Sequence, residues 1–217
     1  MSVKLQFALD DSNSFDIFSI ARESVLAGID ILEVGTSIIK RYGIEIVKKL
    51  HNEFPMVPLC ADGKMIDFPD LEITDLFNAG ATYATAMIIA SNENIIRSIE
   101  IANNFSRNIF FSTMGYPNNN LAQRILEISS IGGTFFIAHG SGRSLEKAFD
   151  DLINKINIIV GVQNIRIIMA GGINKENINS ILKYSPEIII IGRGIYESNN
   201  ISLSIKNIKE ILNRGEQ

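Results

Sequence analysis

The sequence predicts a single-domain (β/α)8 barrel, the TIM-barrel class, spanning residues 1–217. Three observations predict it. Eight short, β-rich runs alternate with longer segments of helical spacing. Several of the runs are almost continuously apolar, as parallel strands covered on both faces must be. The polar residues that carry chemistry collect where those runs end, which is where such barrels place their sites. A doubly wound open sheet is the competing solution. The even spacing and the count of eight favour closure.

Lys4–Leu9 is the first predicted strand, and Asp10 ends it. Gly28, suited to a helix C-cap, precedes the second, Ile31–Val34, which carries Glu33 just before Gly35 and Thr36. The third, Val57–Ala61, runs into Asp62, Lys64 and Asp67. Gly80 precedes the fourth, Tyr83–Met87. Ser91 then suits an N-cap, and Ile95, Ile99 and Ala102 follow at i, i+4 and i+7 of a helix. Ile109–Thr113 is the fifth. Gly132 precedes the sixth, Thr134–Ala138, which stops at His139. The seventh and eighth, Arg166–Met169 and Glu187–Ile191, are followed by Gly171-Gly172 and by Gly192-Arg193-Gly194. In the last segment Ile201, Ile205, Ile208 and Leu212 share one helical face.

A formal charge of −4 and the absence of a basic run argue against a nucleic-acid partner. No apolar stretch approaches the ~20 residues of a membrane helix, and the opening residues lack the pattern of a signal peptide. Cys60 is the only cysteine, so an internal disulfide is impossible and a cytoplasmic location is expected.

One acid at a strand end is commonly a helix cap or a solvated loop residue. Seven ionisable groups at one end of one barrel ask for more. In Ala61-Asp62-Gly63-Lys64, strand geometry continued past Ala61 would point Asp62 and Lys64 the same way. An acid and an amine side by side hold each other charged. The ammonium can stabilise a developing oxyanion, and Asp62 with Glu33 can ligate a hard cation such as Mg²⁺. The bland alternative is a surface ion pair. The glycines after strands seven and eight allow backbone N–H groups to approach a phosphate, and Arg193 adds a fork of donors. His139 ends an apolar run and can move protons near neutrality, or it can be a core histidine bonded to backbone. His51 reads as a solvated surface residue, Cys60 as a buried apolar one. Phe110, Phe111, Phe135 and Phe136 read as strand core.

These residues resemble the orotidine-5′-phosphate decarboxylase suprafamily, and within it the 3-hexulose-6-phosphate synthase and 3-keto-L-gulonate-6-phosphate decarboxylase group. The likeness runs through Gln6-Phe7-Ala8-Leu9-Asp10, Ile31-Leu32-Glu33-Val34-Gly35-Thr36, Asp62-x-Lys64-x-x-Asp67, His139, Ala170-Gly171-Gly172-Ile173 and Ile191-Gly192-Arg193-Gly194-Ile195. Glu33 stands where orotidine-5′-phosphate decarboxylases carry lysine, which favours the sugar-phosphate branch. Pro69 is faintly similar to the decarboxylase instead. Gly35–Lys40 and Gly115-Tyr116-Pro117 look more like the synthases.

The resemblance implies an enediolate intermediate. In the synthase it forms by loss of a C1 proton from D-ribulose 5-phosphate and adds to formaldehyde. In the sister it forms by loss of CO₂. Glu33 and Asp62 would serve Mg²⁺ (or Mn²⁺ in its place), and Lys64 would stabilise the enediolate. His139 would be the acid/base, and Asp10 would hold substrate hydroxyls and Lys64. Gly171, Gly172, Gly192 and Arg193 would bind the phosphate. Asp67 would reach into a second subunit, so a homodimer is implied. The chain departs from the group at Ser112, where relatives usually have an acid, in the loop His139–Arg143 and in Met87–Ser91. These departures motivate a third reading, a barrel that binds sugar phosphates without turnover.

Overall fold

Alternation of side chains along the strands explains why the apolar runs are continuous. In Ile188–Ile191, Ile188 and Ile190 face the barrel interior while Ile189 and Ile191 face the helices, and all are buried. Each face needs its own apolar covering, which leaves this run no position for a polar residue.

The computed structural model describes residues 2–10, 16–140 and 164–214. Among them the strands β1 (Lys4–Leu9), β2 (Ile31–Val34), β3 (Leu59–Met65), β4 (Tyr83–Met87), β5 (Asn108–Ser112), β6 (Phe135–His139), β7 (Arg166–Ala170) and β8 (Ile188–Ile191) pair in parallel in that order. β8 returns to β1, which closes the barrel and makes it a (β/α)8 fold. The helices are α1 (Ile17–Ala27), α2 (Thr36–Tyr42), α3 (Glu45–Glu53), α4 (Pro69–Asn78), α5 (Asn92–Asn104), α6 (Leu121–Ser130), α7 (Ile178–Leu182), α8 (Arg193–Tyr196) and α9 (Ile201–Arg214).

Two cores result. Inside the barrel, Ile31, Cys60, Phe110, Phe135, Ile137, Ile168, Ile188 and Ile190 pack together. Phe110 stacks with Tyr83 at 4.4 Å between ring centroids and tilts against Phe135 at 5.2 Å. Between strands and helices lies a larger shell that includes Phe7, Phe111, Phe136, Ile205, Ile208 and Leu212. Each fully buried side chain of this size contributes about 1.5–3 kcal/mol. The four phenylalanines are core, as expected, and Cys60 is fully buried.

The helix signals sit where the sequence puts them. Ser91 caps α5 by accepting from the Asn94 N–H at 3.1 Å. His51 is a correction. It is half-buried rather than solvated, because its ring packs directly over Gly80, where a Cβ would overlap it.

The third strand differs most from expectation. It runs four residues beyond Ala61, to Met65, with a register shift. Ala61 pairs with Ala84 and Met65 with Ala86, so Asp62, Gly63 and Lys64 together face the single residue Thr85. Lys64 takes a left-handed backbone, φ 51°, which costs a non-glycine residue about 1–2 kcal/mol.

Candidate active site

Inward-pointing residues at the strand ends meet in one cavity of about 420 Å³ at the C-terminal mouth of the barrel. Its lining includes Asp10, Glu33, Asp62, Lys64, His139, Gly171, Gly172, Gly192 and Arg193. Those are the sequence-derived candidates with one exception. Asp67 is exposed beyond the end of β3 and does not line this cavity. The loop residues Ser141, Gly142 and Arg143 lie outside the described residues.

The acid–amine pair is closely held. The Lys64 ammonium donates to Asp62 Oδ2 and, at 2.8 Å, to Thr36 Oγ1. The Thr36 hydroxyl lies 2.8 Å from both Asp62 Oδ2 and the Asp62 carbonyl oxygen, either of which can accept its one proton. Thr85 Oγ1 donates to Asp62 Oδ1 at 2.7 Å and accepts from the Lys64 N–H at 2.9 Å. Asp62 is only 7% exposed, so this is no solvated surface pair. The two threonines were not singled out as site residues from sequence. A hydroxyl at the inward position of the otherwise apolar β4 was the available signal for Thr85.

Glu33 is buried beside Ala8 and Cys60 in the paired strands β1, β2 and β3. The Gln6 amide donates to its Oε2. Burial holds the Glu33 carboxyl well above the usual range, and the charges of Asp62 and Asp10 push it further. Asp10 is also raised, by lost hydration first and by Asp62 second, against Lys64 and Arg193. It sits at the cavity mouth, and Gly35 allows it there. A Cβ on residue 35 would overlap the Asp10 carboxylate, and the Gly35 N–H donates to the Leu9 carbonyl at 2.9 Å.

His139 ends β6 beside Ala170. Burial and the Lys64 charge lower its imidazole to about 4, against a smaller opposing effect of Asp62. It is therefore neutral at pH 7 and able to accept a proton. Cys60 lies beneath the carboxylates, and burial with those charges raises its thiol, which keeps it protonated.

On the opposite wall the chain after β7 turns through Gly171 (φ 89°) and Gly172 (φ 69°). A Cβ on Gly171 would overlap the Gly140 carbonyl oxygen, so the two strand ends touch backbone to backbone. The Asn177 side chain donates to the Gly172 carbonyl at 2.9 Å and fixes the turn. Gly192 leads directly into α8, and Arg193 is its first residue. Glycine backbone and one guanidinium form a surface suited to an anion.

Glu33 and Asp62 offer hard carboxylate oxygens into one cavity, and the charges of Asp62 and Asp10 raise the proton affinity of Glu33, a donor set that fits a divalent metal ion. Among the described residues no group of three or more His, Cys, Asp or Glu converges as a ligand cage. Two carboxylates can hold a hard divalent ion when other oxygens complete its shell.

Known proteins share this fold. The profile of the "Orotidine 5′-phosphate decarboxylase / HUMPS family" matches residues 3–208. The chain is 28% identical over 194 residues to 3-hexulose-6-phosphate synthase of Staphylococcus aureus, covering 89% of this chain and 90% of that one. It superposes on the structure of 3-hexulose-6-phosphate synthase from Salmonella typhimurium with a TM-score of 0.87 and 25% identity, covering 98% of this chain and 99% of that chain. The structure of 3-keto-L-gulonate-6-phosphate decarboxylase from Vibrio cholerae shares the fold, with a TM-score of 0.83, 24% identity and 99% coverage of both chains.

Proposed function

The chain belongs to the orotidine 5′-phosphate decarboxylase / HUMPS family, and from that premise we propose that it is a carbon–carbon lyase of the 3-hexulose-6-phosphate synthase kind. It joins D-ribulose 5-phosphate to formaldehyde through an enediolate, with residues 1–217 acting as one catalytic domain. The observation that carries the reading is that His139, the Asp62–Lys64 pair and the Gly171–Gly172 turn line one cavity.

Glu33 and Asp62 would hold Mg²⁺, with Mn²⁺ as its substitute, and the metal when bound supplies electrophilic polarisation of the substrate's oxygens. Gly171, Gly172, Gly192 and Arg193 seat the phosphate and fix the register of the sugar. Asp10 orients substrate hydroxyls and Lys64. His139, which burial keeps in its neutral form in the free protein, takes the C1 proton. Lys64 holds positive charge against the developing enediolate oxygen. A decarboxylase needs the reverse, a proton delivered to the enediolate. The likeness to a 3-hexulose-6-phosphate synthase over 89% of the chain favours the synthase over its sister.

Two features support a homodimer. Asp67 is exposed outside the cavity, and Ile66, Phe68 and Leu71 beside it are exposed apolar residues. Asp67 would complete the active site of a second subunit. A cytoplasmic location is supported by the unpaired Cys60. Among the described residues no helix is long and apolar enough to cross a membrane.

The test is a purified-protein assay with ribulose 5-phosphate and formaldehyde, with and without Mg²⁺, run beside 3-keto-L-gulonate 6-phosphate. Metal-dependent consumption that requires formaldehyde supports the synthase. Release of CO₂ without formaldehyde moves the reading to the sister enzyme. Binding without turnover of either leaves a non-catalytic sugar-phosphate barrel.

A further inference from the structure

We propose that Thr85 is the positioning residue of this centre, setting the Asp62 carboxylate and the Lys64 backbone with a single hydroxyl. The inference rests on the catalytic reading of Asp62 and Lys64.

The argument starts from the register. Between Ala61↔Ala84 and Met65↔Ala86, three residues of β3 stand opposite one residue of β4. A regular parallel ladder would give the Lys64 N–H a backbone carbonyl on the neighbouring strand. Here the Thr85 side chain supplies the acceptor, at 2.9 Å. The same oxygen donates its proton to Asp62 Oδ1 at 2.7 Å. A hydroxyl carries one donor and two acceptor sites, so it can do both at once. Thr85 is 2% exposed, which leaves water little opportunity to replace either bond.

Asp62 Oδ2 is held from the other side by Lys64 and Thr36. With Oδ1 on Thr85, both carboxylate oxygens are pinned and the plane of the group is set. Lys64 needs comparable help, because its left-handed backbone has no glycine to relieve it. The Thr85 bond fixes the turn from which the ammonium projects. A β-branched side chain is stiff about χ1, which holds the hydroxyl in place at little entropic cost. Valine has the same shape and neither hydrogen-bonding capacity, so Thr85→Val isolates the hydroxyl from the packing. Neighbouring Ala84 and Ala86 are buried on the other face of β4, so the packing there is untouched.

The experiment compares Thr85→Val, Thr85→Ser and wild type in three measurements. These are kcat and KM for ribulose 5-phosphate with formaldehyde, backbone amide exchange at Lys64, and far-UV circular dichroism. Misplacing a catalytic group by a fraction of an ångström should lower kcat about 30- to 100-fold in Thr85→Val. KM should stay within about threefold, because phosphate contacts on β7 and β8 are unaffected. The Lys64 amide should exchange at least about tenfold faster than in wild type. Thr85→Ser, which restores the hydroxyl, should recover kcat and exchange to within about threefold. A valine variant with near-wild-type kcat or unchanged exchange would overturn the inference. So would a serine variant as impaired as valine. If Thr85→Val fails to fold, Thr85→Ala is read by the same criteria. If wild type turns over neither sugar phosphate, the enzymatic reading fails, and Lys64 exchange with its serine rescue still decides whether Thr85 sets this backbone.

Discussion

Acidification tests the environment of His139. Burial and Lys64 lower its imidazole from an ordinary 6.5 to about 4. As pH falls, the unfolded chain therefore takes up this proton before the folded one does. The stability it protects is complete above pH 6.5 and is lost progressively towards pH 4. By proton linkage the loss is about 2 kcal/mol between pH 7 and pH 5, and about 3 kcal/mol once pH is below both values. Asp10 and Glu33, whose carboxyls are raised, act in the opposite direction, so the total pH profile does not isolate the histidine. A comparison with His139→Gln does, since glutamine does not titrate and the carboxyls are common to both. Urea unfolding followed by circular dichroism at pH 7, 6 and 5 should show wild type losing about 2 kcal/mol more than the variant. Parallel profiles for the two proteins would refute the reasoning, as would an NMR titration of His139 with its midpoint near 6.5.

Lys64→Ala should reduce turnover by about 10²- to 10³-fold while leaving the affinity for ribulose 5-phosphate nearly intact, measured by steady-state kinetics and calorimetry. Retention of most activity would remove Lys64 from the mechanism. Arg193→Ala removes charge-assisted bonds of about 1.5–3 kcal/mol and should weaken binding about 10- to 100-fold, with kcat less affected. Unchanged affinity would displace the phosphate from this wall. Gly171→Ala places a Cβ on a left-handed residue and into the Gly140 carbonyl. The combined strain of about 2–5 kcal/mol should lower Tm by about 5–15 °C, read by thermal denaturation. An unchanged Tm would mean that the two strand ends do not pack as closely as described.

Much of the barrel was legible in the sequence. The eight predicted strands correspond to the eight observed ones, with ends that differ by a few residues. Buried parallel strands need apolar residues on both faces, and that leaves a continuous run that is hard to mistake. The same logic marked the site, because a polar residue at the end of such a run has only the barrel mouth to occupy. Glu33, Asp62, Lys64, His139 and the glycines of the last two loops all meet there. The reach of β3 beyond Ala61 was not legible, because Asp62-Gly63-Lys64 reads as loop by composition. Its strand character depends on what Thr85 provides from a neighbouring chain segment. His51 was misread for a similar reason, since its cover is Gly80, a contact absent from its own helical pattern.

The sequence alone determined the architecture and the list of groups available for chemistry, because burial imposes a local pattern on every strand and helix. It could not determine their charge states or their aim. The neutrality of His139, the pinning of Asp62 from two sides and the bent backbone of Lys64 each depend on atoms far apart in the sequence. Only the tertiary fold, which sets neighbouring strands in register and gathers their ends around one mouth, brings those atoms together and strips the water from between them.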